Sequence, residues 1–273
     1  MLALLGLVLV STPAAYAQTV SLVPLTGHAW SYNDNGTALS GGWQNPDYAA
    51  ESQWRSGLGL FGIESSFPYL YPAPLSTPLV LNAGRITYYF RTHFTFTGPT
   101  NGFILMATAY IDDGAVLYLN GLEVGRVRLP AGPIDYSTLA APAFPEGLPF
   151  VVECPAGALV QGDNVLAAEV HQSSATSSDV VFGMSLETYT LVAPTLVDPS
   201  QPADAMVNEG DPVMLAVEAT GFPTPAYQWF KDSQPVAGAV GSSLSLPSVG
   251  PAQAGHYFVV VTNRAGLLTS RTA

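Results

Sequence analysis

The residues of this 273-residue chain whose types and spacing invite chemistry begin with two adjacent carboxylates, Asp112-Asp113, set immediately before Gly114. Paired aspartates on a bend offer hard oxygen ligands, and calcium takes about six to eight of these. A dipeptide supplies only part of that set, so Glu169, Asp179 and backbone carbonyls are the candidates to complete a calcium site. The competing reading is that Asp112 and Asp113 accept backbone N–H bonds in an Asx turn. Aromatic rings form a second group. Trp30, Trp43, Trp54, Tyr69 and Tyr71 are able to stack on the C–H faces of sugar rings or to anchor a core and its loops. Trp30, Trp54 and His171 are the ligand-binding candidates, with His171 at a strand end where it either touches a ligand or bonds within the sheet. Arg91 is expected to pair with a buried carboxylate.

Catalytic signatures are missing from the sequence. It contains no Gly-x-Ser-x-Gly elbow, no His-Glu-x-x-His and no phosphate-binding glycine loop. His28, His93, His171 and His256 have no metal-ligand spacing. No catalytic residue is assigned, and the chain is not read as an enzyme. A formal net charge of −12 with a single lysine, Lys231, denies a nucleic acid the cationic footprint that it needs. Cys154 stands alone, which excludes an internal disulfide and leaves either a buried hydrophobe or a reactive thiol.

These residues must be held by β-structure. Charged residues make up 10% of the chain and hydrophobic ones 48%, with 26 Gly and 23 Pro, a composition for short strands and tight turns. Alternation predicts strands over 85–96, 103–111, 115–119, 164–171 and 180–186. Asn120-Gly121 between two such runs is a hairpin signal. Residues 46–54 are expected to contain at most one helical turn. Regular strands without βαβ alternation imply an antiparallel sandwich.

The uncharged N-terminus carries an apolar run from Leu2 to Val10 and then Ala15-Tyr16-Ala17, which reads as a signal peptide over residues 1–17. It is too short to span a membrane, and no other stretch resembles a span. The mature chain is therefore expected outside the cytoplasm, extracellular, at the cell surface or in the periplasm. Residues 18–190 are expected to form one domain, 191–200 a proline-containing linker, and 201–273 a second domain.

In the second domain, Val213-x-Leu215-x-Val217, then Trp229, then Tyr257-x-Val259 resembles the I-set-like immunoglobulin domains of bacterial surface and secreted proteins. That resemblance implies a buried Trp229, a tyrosine corner at Tyr257, and valines 217 and 259 in place of the usual cysteines. It also implies a last strand cut short at Ala273, so that the sequence reads as a fragment of a longer polypeptide. In the first domain, Trp30-Ser31-Tyr32, Tyr89-Phe90-Arg91, the run from Asp112 to Val124 and the run from Gly162 to Gln172 resemble galactose-binding-like jelly rolls of exported bacterial proteins. The fold class is then all-β, a jelly roll followed by a C-terminally truncated Ig-like sandwich. The resemblance implies a non-catalytic binding module, for polysaccharide or ancillary to a larger secreted hydrolase. The alternative is a structural or adhesive cell-surface protein whose Ig-like domain is a spacer and whose partner is a surface protein.

Overall fold

The computed structural model describes residues 18–49, 53–64, 70–82, 84–143 and 147–273. The expected signal peptide, 1–17, and Tyr69 lie outside the described residues. The fold is all-β, and the chain divides into two compact units, Thr19–Tyr189 and the region from Thr190 to Ala273.

The described strands of the first unit are β1 (Thr19–Val23), β2 (Ala29–Asn33), β3 (Arg55–Leu58), β4 (Phe61–Ile63), β5 (Thr87–Phe96), β6 (Phe103–Asp112), β7 (Gly114–Leu119), β8 (Leu122–Val127), β9 (Phe150–Cys154), β10 (Gly162–His171) and β11 (Val180–Thr190). They build two sheets, one in the order β1-β11-β6-β9 with β4 also on β11, the other in the order β3-β2-β5-β10-β7-β8. The pairs β1–β11, β4–β11, β6–β9, β2–β3, β2–β5, β5–β10, β7–β10 and β7–β8 are antiparallel. Between β7 and β8, Asn120 and Gly121 take φ of 51° and 82°. Such left-handed values suit the twist of a two-residue hairpin, and Asn and Gly adopt them at least cost.

The pleat sorts the side chains. Tyr88, Phe90, Phe94 and Phe96 of β5, and Leu166, Ala168 and Val170 of β10, point into the core between the sheets. There Phe90 stacks on Phe182 with centroids 4.2 Å apart. Trp30, expected at a ligand site, is instead a core residue. It is 2% exposed and meets Phe182 edge to face at 5.4 Å, because alternation along β2 turns Trp30 and Tyr32 inward together.

The opposite set on the six-stranded sheet is buried too. Trp43, Tyr89, Val165 and Ala167 pack with Leu39, Tyr48, Trp54, Tyr118 and Tyr136 on its outer face. The segment over this face is not helical at 46–49 or 53–54. It runs as linked turns, Asn45 N to Gly42 O at 2.9 Å and Tyr48 N to Asn45 O at 3.3 Å. Arg91 meets no carboxylate here. Its guanidinium donates to the carbonyls of Tyr48 (3.1 Å) and Asn45 (3.0 Å) and lies over the Tyr48 ring, pinning this loop to β5. The turn carbonyls, with lone pairs to spare, give a buried cation as good a partner as an acid would.

The second unit contains β12 (Val192–Leu196), β13 (Val213–Ala216), β14 (Ala219–Phe222), β15 (Ala226–Lys231), β16 (Gln234–Pro235), β17 (Ser243–Leu246), β18 (Tyr257–Asn263) and β19 (Gly266–Thr269). Residues 191–200 were expected as a linker, yet Val192–Leu196 pairs with β14 as a strand of this sandwich. Trp229 is fully buried with Leu215, Val217, Leu244, Tyr257, Val259 and Val261. Its indole Nε1 donates to Gly241 O at 3.0 Å. The Tyr257 hydroxyl donates to Gln253 O at 2.7 Å, closing a tyrosine corner. Pairing along β18 continues past β19, with Ser270 N on Val259 O and Ala273 N on Tyr257 O.

Candidate functional site

Two clusters of chemistry-bearing residues emerge in the first unit, one on each sheet. The first divides the expected calcium set. β4 pairs with β11 so that Ile63 lies opposite Val180. The next residues, Glu64 and Asp179, are thereby brought together at one end of the sheet. Asp112, at the end of β6 beside β11, joins them. One ligand atom from each of Glu64, Asp112 and Asp179 falls within 4.8 Å of the others. The Asp179 carboxyl is raised above its ordinary range, first by burial and then by the charges of Glu64 and Asp113. Three crowded carboxylates of this kind fit a hard cation.

Asp113 and Glu169 do not belong to this cluster. Asp113 spends both carboxylate oxygens on backbone donors, Ala143 N at 3.0 Å and Ser173 N at 2.6 Å, and so ties two loops together. Glu169 lies on the other sheet. Glu64 was missed by sequence reasoning, since it follows a three-residue strand and has no local motif.

The second cluster surrounds Glu169 on the outer face of the six-stranded sheet. Glu169 sits in register with Tyr89 of β5 and Val116 of β7, and its neighbour across the strands, Tyr118, pairs with Ala167. The Tyr118 hydroxyl donates to Glu169 Oε1. Behind the carboxylate, His171 is fully buried, with Nε2 at 3.5 Å from Glu169 Oε2. Its Nδ1 lies 2.8 Å from Thr138 O and 3.1 Å from Thr87 Oγ1. A carbonyl only accepts, so the His171 proton is on Nδ1. His171 is thus held by Thr138 and Thr87 behind Glu169 rather than facing solvent.

Above this floor opens a cavity of about 500 Å³ lined by Trp43, Gln44, Tyr89, Tyr118, Tyr136 and Glu169, with Glu123, Arg126 and Asp135 at other parts of its wall. Trp43 meets Tyr89 at 5.0 Å and Tyr118 at 5.7 Å, both edge to face. Burial raises the Tyr118 phenol first, and its bond to Glu169 raises it further. Burial likewise raises Tyr89, with the charge of Glu169 second. Trp54 is set behind Trp43 (6.4 Å) and Tyr48 (6.3 Å) as a support of the loop. Sequence reasoning named Trp43 among possible stacking rings, but it missed Gln44, Tyr89, Tyr118 and Tyr136 as a group. The alternation of 85–96 and 115–119 carried part of that signal. A cavity of about 450 Å³ in the second unit is lined by Met206, Leu215, Leu246 and other mainly apolar residues, and Glu209 is its charged member.

Comparisons with known proteins bear on the two units unequally. A family model described as an immunoglobulin domain matches residues 194–263. Human hemicentin-1 is 36% identical over 84 residues, 28% of this chain and 2% of that protein. The chain therefore spans a small part of that relative's length. The decoration protein of Escherichia phage T5 is 32% identical over 142 residues, which cover 48% of this chain and 86% of that protein. Among solved structures, a β-glucuronidase of an uncultured Clostridium sp. matches with a TM-score of 0.41 at 13% identity, over 95% of this chain and 45% of that one. Among the described residues, no helix is long and apolar enough to cross a membrane.

Proposed function

Because the chain belongs to the family of the Escherichia phage T5 decoration protein and carries an immunoglobulin domain, we propose that it is a non-catalytic, exported binding module displayed on a surface. Its first unit, a galactose-binding-like jelly roll in this reading, binds carbohydrate. Its Ig-like unit is the spacer. The observation that carries the carbohydrate reading is the cavity over Glu169, where Trp43, Tyr89, Tyr118 and Tyr136 offer rings and Gln44 and Glu169 offer convergent polar groups. Sugars are bound by that combination, with C–H faces against rings and hydroxyls on fixed polar atoms. Polysaccharide is the ligand class, and a larger secreted hydrolase is one setting for such a module. A second reading, structural display by protein contacts alone, is favoured by the name of the phage relative.

Calcium is proposed at Glu64, Asp112 and Asp179 as a stabilising ion, supported by the convergence of their oxygens. The three residues would supply part of its shell, and the ion would relieve the mutual repulsion of their charges.

Thermal unfolding of the full chain, with calcium or with excess chelator and against plant and algal polysaccharides, tests both proposals. A ligand that binds only the native state stabilises it by about 2.7 kcal/mol at a hundredfold excess over its Kd. The expected result is a calcium-dependent rise that disappears in Glu64→Gln/Asp112→Asn, and a further rise with one glycan that disappears in Tyr118→Ala. A midpoint indifferent to calcium sinks the metal site. A midpoint indifferent to every glycan sinks the carbohydrate reading in favour of display alone.

A further inference from the structure

We infer that the ligand of the Glu169 cavity carries a protonated amine, so that within the carbohydrate reading, on which this inference rests, it is an amino sugar and not a neutral one. The argument is a balance of donors and acceptors. Arg126 is the cation on the cavity wall, and four of its five N–H donors are already committed. Nε and Nη2 grip the two oxygens of Glu123 at 2.8 Å each, and Nη1 donates to Pro130 O (2.6 Å) and Gly132 O (3.0 Å). The Tyr118 proton is given to Glu169.

Acceptors remain. Gln44 Oε1 is buried and has no hydrogen-bond partner. The Glu169 carboxylate, 8% exposed, lines the cavity, and so does Asp135. An ammonium group supplies three donors and no acceptor, so it satisfies Gln44 Oε1 and the carboxylates without adding lone pairs of its own. Charge points the same way. Glu123, Asp135 and Glu169 face one guanidinium, so the wall is net negative. The bonds of an ammonium to Glu169 would be charge-assisted. The rings of Trp43, Tyr89 and Tyr118 line the same cavity, and an aromatic ring attracts a cation set over its face within about 6 Å.

The inference is tested by calorimetric titration of the full-length protein at neutral pH and low salt with glucosamine, glucose and ethanolamine. Glucosamine is expected to bind at least about tenfold more tightly than glucose, from one charge-assisted bond and a cation–π contact. Glu169→Gln, which keeps the shape, is expected to bring that ratio close to one. Asp135→Asn, on an exposed loop where it keeps its acceptor for Ser137, is expected to lower the ratio about two- to threefold, an effect that salt diminishes. This second variant keeps the test decisive even where Glu169→Gln fails to fold. Equal affinity for glucose and glucosamine overturns the amine inference and leaves the carbohydrate reading intact. Binding of ethanolamine but of neither sugar overturns the carbohydrate reading and retains the amine. Binding of none of the three overturns both.

Discussion

Cys154 ends β9 with its thiol 2% exposed, and burial pushes that thiol up to about 12. The sign of the linkage follows directly. An unfolded thiol ionises near about 8.5, so the fold favours the neutral form, and the stability tied to it is lost only as pH rises above that value. The thiolate is the reactive species. Native protein at pH 8 is therefore expected to react with a thiol reagent about a thousandfold more slowly than the urea-unfolded chain, the order of the thiolate ratio that the raised value implies. Rapid labelling of the folded protein would make Cys154 a surface thiol. At the same scale, Asp113 and Asp112 teach a distinction. Adjacent in sequence, they point to different tasks, one holding loop backbones and the other joining Glu64 and Asp179.

At the scale of elements, the β7–β8 hairpin and β10 form one polar and apolar unit. Asn120 takes φ of 51° at the turn while its side chain donates to Asn164 Oδ1 (2.8 Å) and Ala158 O (2.9 Å) and accepts from Val165 N (2.8 Å). Asn164 is itself fully buried and braces Val160 on both sides. Asn120→Ala leaves those partners unsatisfied and places a less tolerant residue in the left-handed region, at a cost of about 2–4 kcal/mol. Equilibrium denaturation of the first unit should register that loss, and a change below about 0.5 kcal/mol would mean that the network contributes little. Register is the larger consequence of this anchor. A slip of one residue in β10 would send Glu169 and His171 into the core and Ala168 and Val170 outward, dismantling the cavity.

For the whole molecule, the two units have separate cores, one around Trp30, Phe90 and Phe182 and one around Trp229, Val217 and Val259. Trp229→Ala is expected to cost about 3–5 kcal/mol through the cavity it leaves. It should lower one calorimetric transition and leave the first unit's transition, together with its glycan response, where it was. A common shift of both transitions would mean that the units unfold as one. The valine pair in the cysteine positions makes this second core independent of redox conditions, since packing against Trp229 replaces the covalent link. The net charge of −12 favours solubility and disfavours polyanionic partners, which agrees with a cavity whose wall is itself negative.

Strand positions, the Asn120-Gly121 hairpin and the Ig pattern of Trp229 and Tyr257 were written in the sequence, because alternation, turn chemistry and motif spacing are properties of neighbouring residues. The β12 strand was hidden by Pro194 within it and Pro199 just after it, which read as a linker until β14 supplied a partner. Tertiary structure alone decided which polar residues meet. The pairing of β4 with β11 brought Glu64 to Asp179, and the pairing of β10 with β5 and β7 brought Glu169 to Tyr89 and Tyr118. Tertiary structure alone also sent Trp30 inward and Trp43 to the cavity wall. Both outcomes rest on long-range register and on loops closing over a sheet face. Local residue types bias such contacts weakly, whereas burial of the whole face fixes them.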